Sequence, residues 1–181
     1  MPAILDTPLP NCLVFEAFGA DDDRGDFRKP FSAGWGGEFS NFAAREFFYS
    51  NSRNGVLRGM HLQTGAAAHA KIVFCIAGEI LDVLVDLRRG PNFGASFAST
   101  LSANNRRAIL VPVGVAHGFL VLSNNASLGY LTTTPHDPTH DTGVRWDSFG
   151  FDWPPVGAVS ERDSALLPLC DFPPQPETLA P

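Results

Sequence analysis

His61, Lys71 and Tyr130 are the residues whose types and spacing could do chemistry. His61 closes the run Gly55-Val56-Leu57-Arg58-Gly59-Met60-His61, and Lys71 follows ten residues later. A second run, Val111-Pro112-Val113-Gly114-Val115-Ala116-His117, precedes Tyr130 by thirteen residues. Together they supply a base, a fixed cation and a phenol. Such a set can take a proton from carbon beside a carbonyl, hold the enolate, and return a proton from the other side. Singly, each has a plainer reading. A strand histidine is more often structural, a lysine at a strand end is solvated, and a sheet tyrosine packs its ring and bonds its hydroxyl at the rim. Their joint occurrence is what points to chemistry.

These groups must be positioned by strands. Long amphipathic helical patterns are missing, and short apolar runs broken by turn residues dominate. The pattern predicts strands over 71–76, 80–87, 97–101, 108–112, 118–122 and 127–133, with Ser123-Asn124-Asn125 as a hairpin turn. Strands at this spacing favour an antiparallel double-sheet roll over a βαβ architecture. A short helix is expected over 160–167, with Ser160 as N-cap and Glu161 and Asp163 in its first turn. Strict alternation places Gly59 and His61 on one face of their strand and Arg58 and Met60 on the other. A bulge or a strand end is therefore required if Arg58 and His61 are to serve one ligand. One domain is expected over 1–170. The tail 171–181 contains four prolines and is expected to be mobile.

Composition narrows the partners. A formal net charge of -6 over 181 residues argues against nucleic acid or an anionic membrane as ligand. A phosphate ligand would need a local arginine cluster to hold it. No run of 18 apolar residues occurs, so no spanning helix is expected, and no signal peptide is visible at Met1-Pro2-Ala3. Cys12, Cys75 and Cys170 are odd in number and far apart, which predicts free thiols and a cytoplasmic chain.

Pro112-x-Gly114-x-x-His117 is similar to the second motif of cupin metal proteins. The first such motif brings His-x-His and a glutamate, whereas His61 is followed by Leu62 and Gln63. His69 falls in a polar loop, where solvation is expected. Two histidines without a carboxylate make a poor zinc or iron site, so neither a metal nor another cofactor is expected.

From Val14 to Leu169 the chain resembles the dTDP-4-dehydrorhamnose 3,5-epimerase family. The likeness is carried by 55–61, 82–94 and 112–122, then by Asp137-Pro138, Gly143-Val144-Arg145-Trp146-Asp147, Phe151-Asp152-Trp153-Pro154 and Ser160-x-x-Asp163. The resemblance implies an all-β, cupin-type double-stranded β-helix (jelly roll) with short peripheral helices, working as a homodimer without metal. It implies that His61 is the general base, Asp163 its orienting carboxylate, Lys71 the cation at the keto oxygen, and Tyr130 the acid on the opposite face. Arg58 and Arg24 would hold the diphosphate, Arg24 reaching into the neighbouring subunit's site. Phe27 would stack on the base, and Asn51 and His117 would line the sugar pocket.

The implied activity is epimerisation of a nucleotide-activated 4-keto-6-deoxy sugar, best matched by dTDP-4-dehydro-6-deoxyglucose. Tyr49 stands where the family has glutamine, Lys29 where it has glutamate, and Thr134-Pro135-His136 where it has Asp-Tyr-Tyr. The nucleotide therefore stays open at this point, as does inversion at C3, C5 or both. A ketoisomerase moving the carbonyl from C4 to C3 and a non-catalytic sugar-nucleotide-binding cupin are the rival readings. Retention of both His61 and Tyr130 favours epimerisation, and binding alone does not require an acid-base set.

Overall fold

Apolar and β-branched residues cut by glycine and asparagine turns favour strands, and strands dominate. The computed structural model describes residues 2–5 and 7–176. In chain order the strands are β1 (Ala3–Leu5), β2 (Leu13–Glu16), β3 (Phe18–Asp22), β4 (Gly25–Lys29), β5 (Glu46–Arg53), β6 (Leu57–Gln63) and β7 (Lys71–Ala77). They continue with β8 (Glu79–Asp86), β9 (Ser96–Ser102), β10 (Arg107–Val111), β11 (Val115–Val121), β12 (Asn125–Thr132) and β13 (Asp141–Gly143). One helical turn, α1 (Glu161–Ser164), follows.

Two sheets form the roll. One is six-stranded, in the order β1-β2-β10-β7-β12-β5, and the other five-stranded, in the order β13-β6-β11-β8-β9. All their strand pairs are antiparallel. The β3–β4 hairpin stands apart as its own two-stranded sheet. The six strands predicted from apolar runs are β7 to β12. β11 begins at Val115, ahead of the start at 118 that the pattern predicts. All seven of its residues are buried, so no polar alternation marks where it begins.

One expected hairpin is absent. Ser123-Asn124-Asn125 joins β11 to β12, but β11 pairs with β6 and β8, and β12 with β5 and β7. The turn carries the chain from one sheet to the other. Ala77-Gly78-Glu79 does the same between β7 and β8. A β7–β8 and β11–β12 double ribbon is thereby folded over on itself, as a jelly roll requires.

Three apolar layers hold the roll. Val73, Ile80, Leu84, Ile109, Phe119 and Leu128 pack between the sheets. Met60, Leu62, Val83 and Val85 point out of the five-stranded sheet and are covered by the chain from Phe149 to Phe172. Phe15, Ile72 and Leu110 point out of the six-stranded sheet beneath Trp35, Phe39 and Phe42. Each fully buried Leu, Ile or Phe contributes about 1.5–3 kcal/mol over its exposed form. The tail expected to be mobile is docked over its described part. Phe172 is buried, and Gln175 N–H donates to the Leu87 carbonyl. Apolar burial and backbone pairing outweigh the proline content there. Residues 177–181 lie outside the described ones.

Candidate active site

The roll opens into a cavity of about 280 Å³, walled by both sheets. β6 contributes Arg58 and His61, β11 contributes His117, β7 contributes Lys71, and β12 contributes Tyr130. Arg58 and His61 share this wall because β6 is bulged. His117 pairs with His61 and Phe119 with Arg58, so two steps along β11 span three along β6. Gly59 permits it. Its φ is +135°, and a Cβ there would lie 2.5 Å from the Gly118 Cα. The extra residue reverses the alternation, so Met60 faces the outer core and Arg58 joins His61.

Asp163 fastens both the bulge and the base. Ser160 caps α1 by accepting from Asp163 N at 3.0 Å, which brings the carboxylate over β6. Asp163 Oδ1 lies 2.7 Å from His61 Nε2, and Oδ2 accepts from Gly59 N at 3.1 Å. Burial pushes this carboxyl's pKa up, but the hydrogen bond and charge of His61, the Gly59 N–H and the Ser160 side chain outweigh it and hold the group below its ordinary value. An ionised carboxylate only accepts, so Nε2 carries the hydrogen and Nδ1 is left as the basic nitrogen.

Lys71 is buried at the start of β7, not solvated, and its Nζ donates to the His61 carbonyl at 3.1 Å. Burial pulls its pKa down to about 8, partly offset by Asp141 and Asp82. At neutral pH it is a desolvated cation beside the base. Tyr130 is buried against Phe48, with ring centroids 4.6 Å apart and planes 11° from parallel. Its hydroxyl lies 3.3 Å from Ser50 Oγ. Burial raises the phenol's pKa well above its ordinary value, so it is held protonated. His117 is fixed by Asp82, 2.7 Å away, at the buried end of the cavity.

Two expected positions differ, Asn51 and His69. Asn51 does not line the cavity. Phe48 and Ser50 line it from β5, and Ser52 behind them receives the Arg58 Nε hydrogen bond. Alternation turns Asn51 to the outer face, where its side chain accepts from Ser127 Oγ. His69 is not solvated. It lines the cavity, its Nδ1 3.0 Å from Gln63 Nε2, and burial lowers its pKa to about 4, so the ring is neutral. Arg24 and Phe27 are absent from this chain's cavity. They sit in the β3–β4 hairpin, the Arg24 side chain 89% exposed and paired with Asp22, Phe27 54% exposed.

Sequence reasoning missed Glu46, Phe48, Ser50, His136 and Asp141 in the lining. His136 N–H donates to Glu46, and its ring lies 3.2 Å from Asp141, which also pairs with Arg162. Alternation along 46–50 could have flagged the first three. Among the described residues, no group of three or more His, Cys, Asp or Glu is placed to hold a metal ion.

Fold and site together define a jelly-roll protein with an acid-base pocket at the mouth of the roll. The family model for dTDP-4-dehydrorhamnose 3,5-epimerase matches residues 6–171. The enzyme of that name from Salmonella typhimurium is 34% identical over 94% of this chain and 97% of its own. The crystal structure of dTDP-6-deoxy-D-glucose-3,5-epimerase from Legionella pneumophila, in complex with dTDP-4-keto-L-rhamnose, superposes with a TM-score of 0.91. It is 30% identical and covers 99% of this chain and all of that one. A 4-keto-6-deoxy sugar epimerase from the novobiocin gene cluster of Streptomyces spheroides gives a TM-score of 0.87 at 29% identity, over 94% and 89% of the two chains. The chain belongs to the dTDP-4-dehydrorhamnose 3,5-epimerase family.

Proposed function

We propose that the protein epimerises dTDP-4-dehydro-6-deoxyglucose at C3 and C5 to give dTDP-4-dehydrorhamnose. The observation that carries this is the division of labour between the sheets. A carboxylate-held histidine projects from β6 of one sheet and a buried phenol from β12 of the other, and both line one cavity. Inversion at carbon needs a proton removed from one face and another delivered to the opposite face.

The C4 ketone acidifies the C3 and C5 hydrogens. His61 Nδ1 takes one, and the C–H pair flows into an enolate whose oxygen is met by Lys71 Nζ. Asp163 stabilises the imidazolium. Tyr130 then gives its proton to the other face of the same carbon. The resulting phenolate regains a proton and the imidazolium loses one before the second centre reacts. Arg58, held by Ser52 at the rim, fits one end of a diphosphate.

The remaining cations and the flat partner for the base come from a second copy of the chain. Phe47, Tyr49 and Ile76 on the six-stranded sheet, and Phe18 and Phe27 on the hairpin, are large apolar side chains left exposed. Their burial in a homodimer would bring Arg24 and Phe27 to the neighbouring cavity. The three cysteines are free, which suits the cytoplasm. No described helix is long and apolar enough to cross a membrane. A panel of 4-keto sugar nucleotides incubated in deuterated water, with C3 and C5 followed by NMR, tests the proposal. Exchange and inversion at both carbons of the dTDP sugar are expected. Carbonyl migration to C3, or binding without exchange, would overturn it.

A further inference from the structure

Tyr130 has a partner to which the mechanism above gives no task. Ser50 stands on β5, the edge strand beside β12. In that register Tyr130 faces Phe48, and Ser50 is the next residue on the same face of β5. Phe48 lies flat on the phenol ring, and Ser50 Oγ is 3.3 Å from its oxygen. All three line the cavity.

We propose that Ser50 is the positioning residue for Tyr130, fixing the phenol and supplying the hydrogen bond that stabilises the phenolate left when Tyr130 protonates the sugar. The proposal rests on the epimerase reading of this site.

While Tyr130 is neutral, either oxygen can donate. Once Tyr130 has given its proton away, its oxygen can only accept, and the Ser50 hydroxyl must donate. The interaction is then charge-assisted and stronger, so it favours the transition state over the ground state. The need is large, because burial opposes formation of the phenolate and the Ser50 hydrogen bond is the leading effect that eases it. Phe48 complements this by fixing the ring plane.

The test uses the full-length enzyme, Ser50→Ala and Ser50→Thr. Epimerisation by Ser50→Ala should fall about ten- to hundredfold, the span of one hydrogen bond to a charged group, with KM little changed. Deuterium wash-in at the sugar carbons should fall much less, because His61 still forms the enolate. Ser50→Thr, which keeps the hydroxyl and suits a strand, should restore most of the rate.

A second readout needs no substrate. The chain has only two tyrosines, Tyr49 and Tyr130. With tyrosine labelled by ¹³C at Cζ, Ser50→Ala should move the Tyr130 resonance and leave that of Tyr49 in place, Tyr130→Phe giving the assignment. Epimerisation at the wild-type rate, equal loss of wash-in and epimerisation, or an unmoved Tyr130 resonance would overturn the proposal. If the wild-type protein acts on no 4-keto sugar nucleotide, the epimerase reading fails, while the Cζ shift still decides whether Ser50 holds the phenol.

Discussion

Along the cavity wall, charged and polar side chains have fixed partners. His61 is held by Asp163, His117 by Asp82, Lys71 by the His61 carbonyl, and Arg58 by Ser52. In the β3–β4 hairpin, Arg24 pairs, among the described residues, with Asp22 two residues away, and Phe18 and Phe27 offer their rings to solvent. The wall is pre-organised for proton transfer at a sugar carbon. The hairpin has the groups that a nucleotide diphosphate needs, but this chain does not bring them to its own cavity. In the proposed homodimer, one chain would build the reaction centre and lend part of its neighbour's binding site.

The largest way to break this contrast is at the wall. His61→Ala should lower exchange and epimerisation at both carbons by about 10²–10⁴-fold, the usual worth of a general base, with the fold intact by circular dichroism. An exchange rate near wild type would remove His61 from the base role.

The hairpin should respond differently. Arg24→Ala should lower kcat/KM about ten- to hundredfold, mainly through KM, as expected for one charge-assisted contact. Mixing Arg24→Ala with His61→Ala under subunit exchange should regenerate activity, since a mixed dimer holds one site with both residues intact. Verified heterodimers that stay inactive would place Arg24 at its own chain's site, or in the fold alone.

A smaller effect separates the cation from the base. Lys71 is charged below its pKa of about 8 and neutral above it. The kcat/KM for the free enzyme should therefore fall as pH rises through that value. Lys71→Arg cannot lose its charge in this range, so the residual activity of that variant should lack this alkaline limb. An unchanged limb would assign it to another group. The smallest effect expected is none at all, on dialysis against a chelator. Gln63 stands where a cupin metal site would have its second histidine, and its amide is committed to Ala67, Pro135 and the Asp137 N–H. Activity lost on chelation and restored by one divalent ion would contradict this.

Much of the wall was legible in the sequence because it is made of strands with dense apolar patterns and a capped helix. Ser160 and Asp163 stood out as an N-cap and a first-turn acid, and that geometry is what carries Asp163 to His61. The conflict between Arg58 and His61 on a regular strand called for a bulge, and Gly59 provides it. The illegible parts depend on long-range pairing. Which face of β5 meets the cavity is set by its register with β12, eighty residues away for Ser50 and Tyr130, so local sequence does not reveal that Phe48 and Ser50 face inward and Asn51 outward. The polar loop predicts a solvated His69, yet its Nδ1 lies against Gln63 Nε2, which also donates to the Pro135 carbonyl. The docking of Phe172 was hidden by neighbouring prolines.

The central claim is that removal and return of the proton are divided between the two sheets. Tyr130→Phe tests it most directly, with deuterium wash-in and inversion followed together by NMR on the 4-keto sugar nucleotide in deuterated water. The account predicts that the variant still exchanges the sugar hydrogen, because His61 and Lys71 still form the enolate and His61 can reprotonate the original face, while inversion falls far more steeply. Equal loss of exchange and inversion would contradict it, placing Tyr130 in enolate formation or in binding.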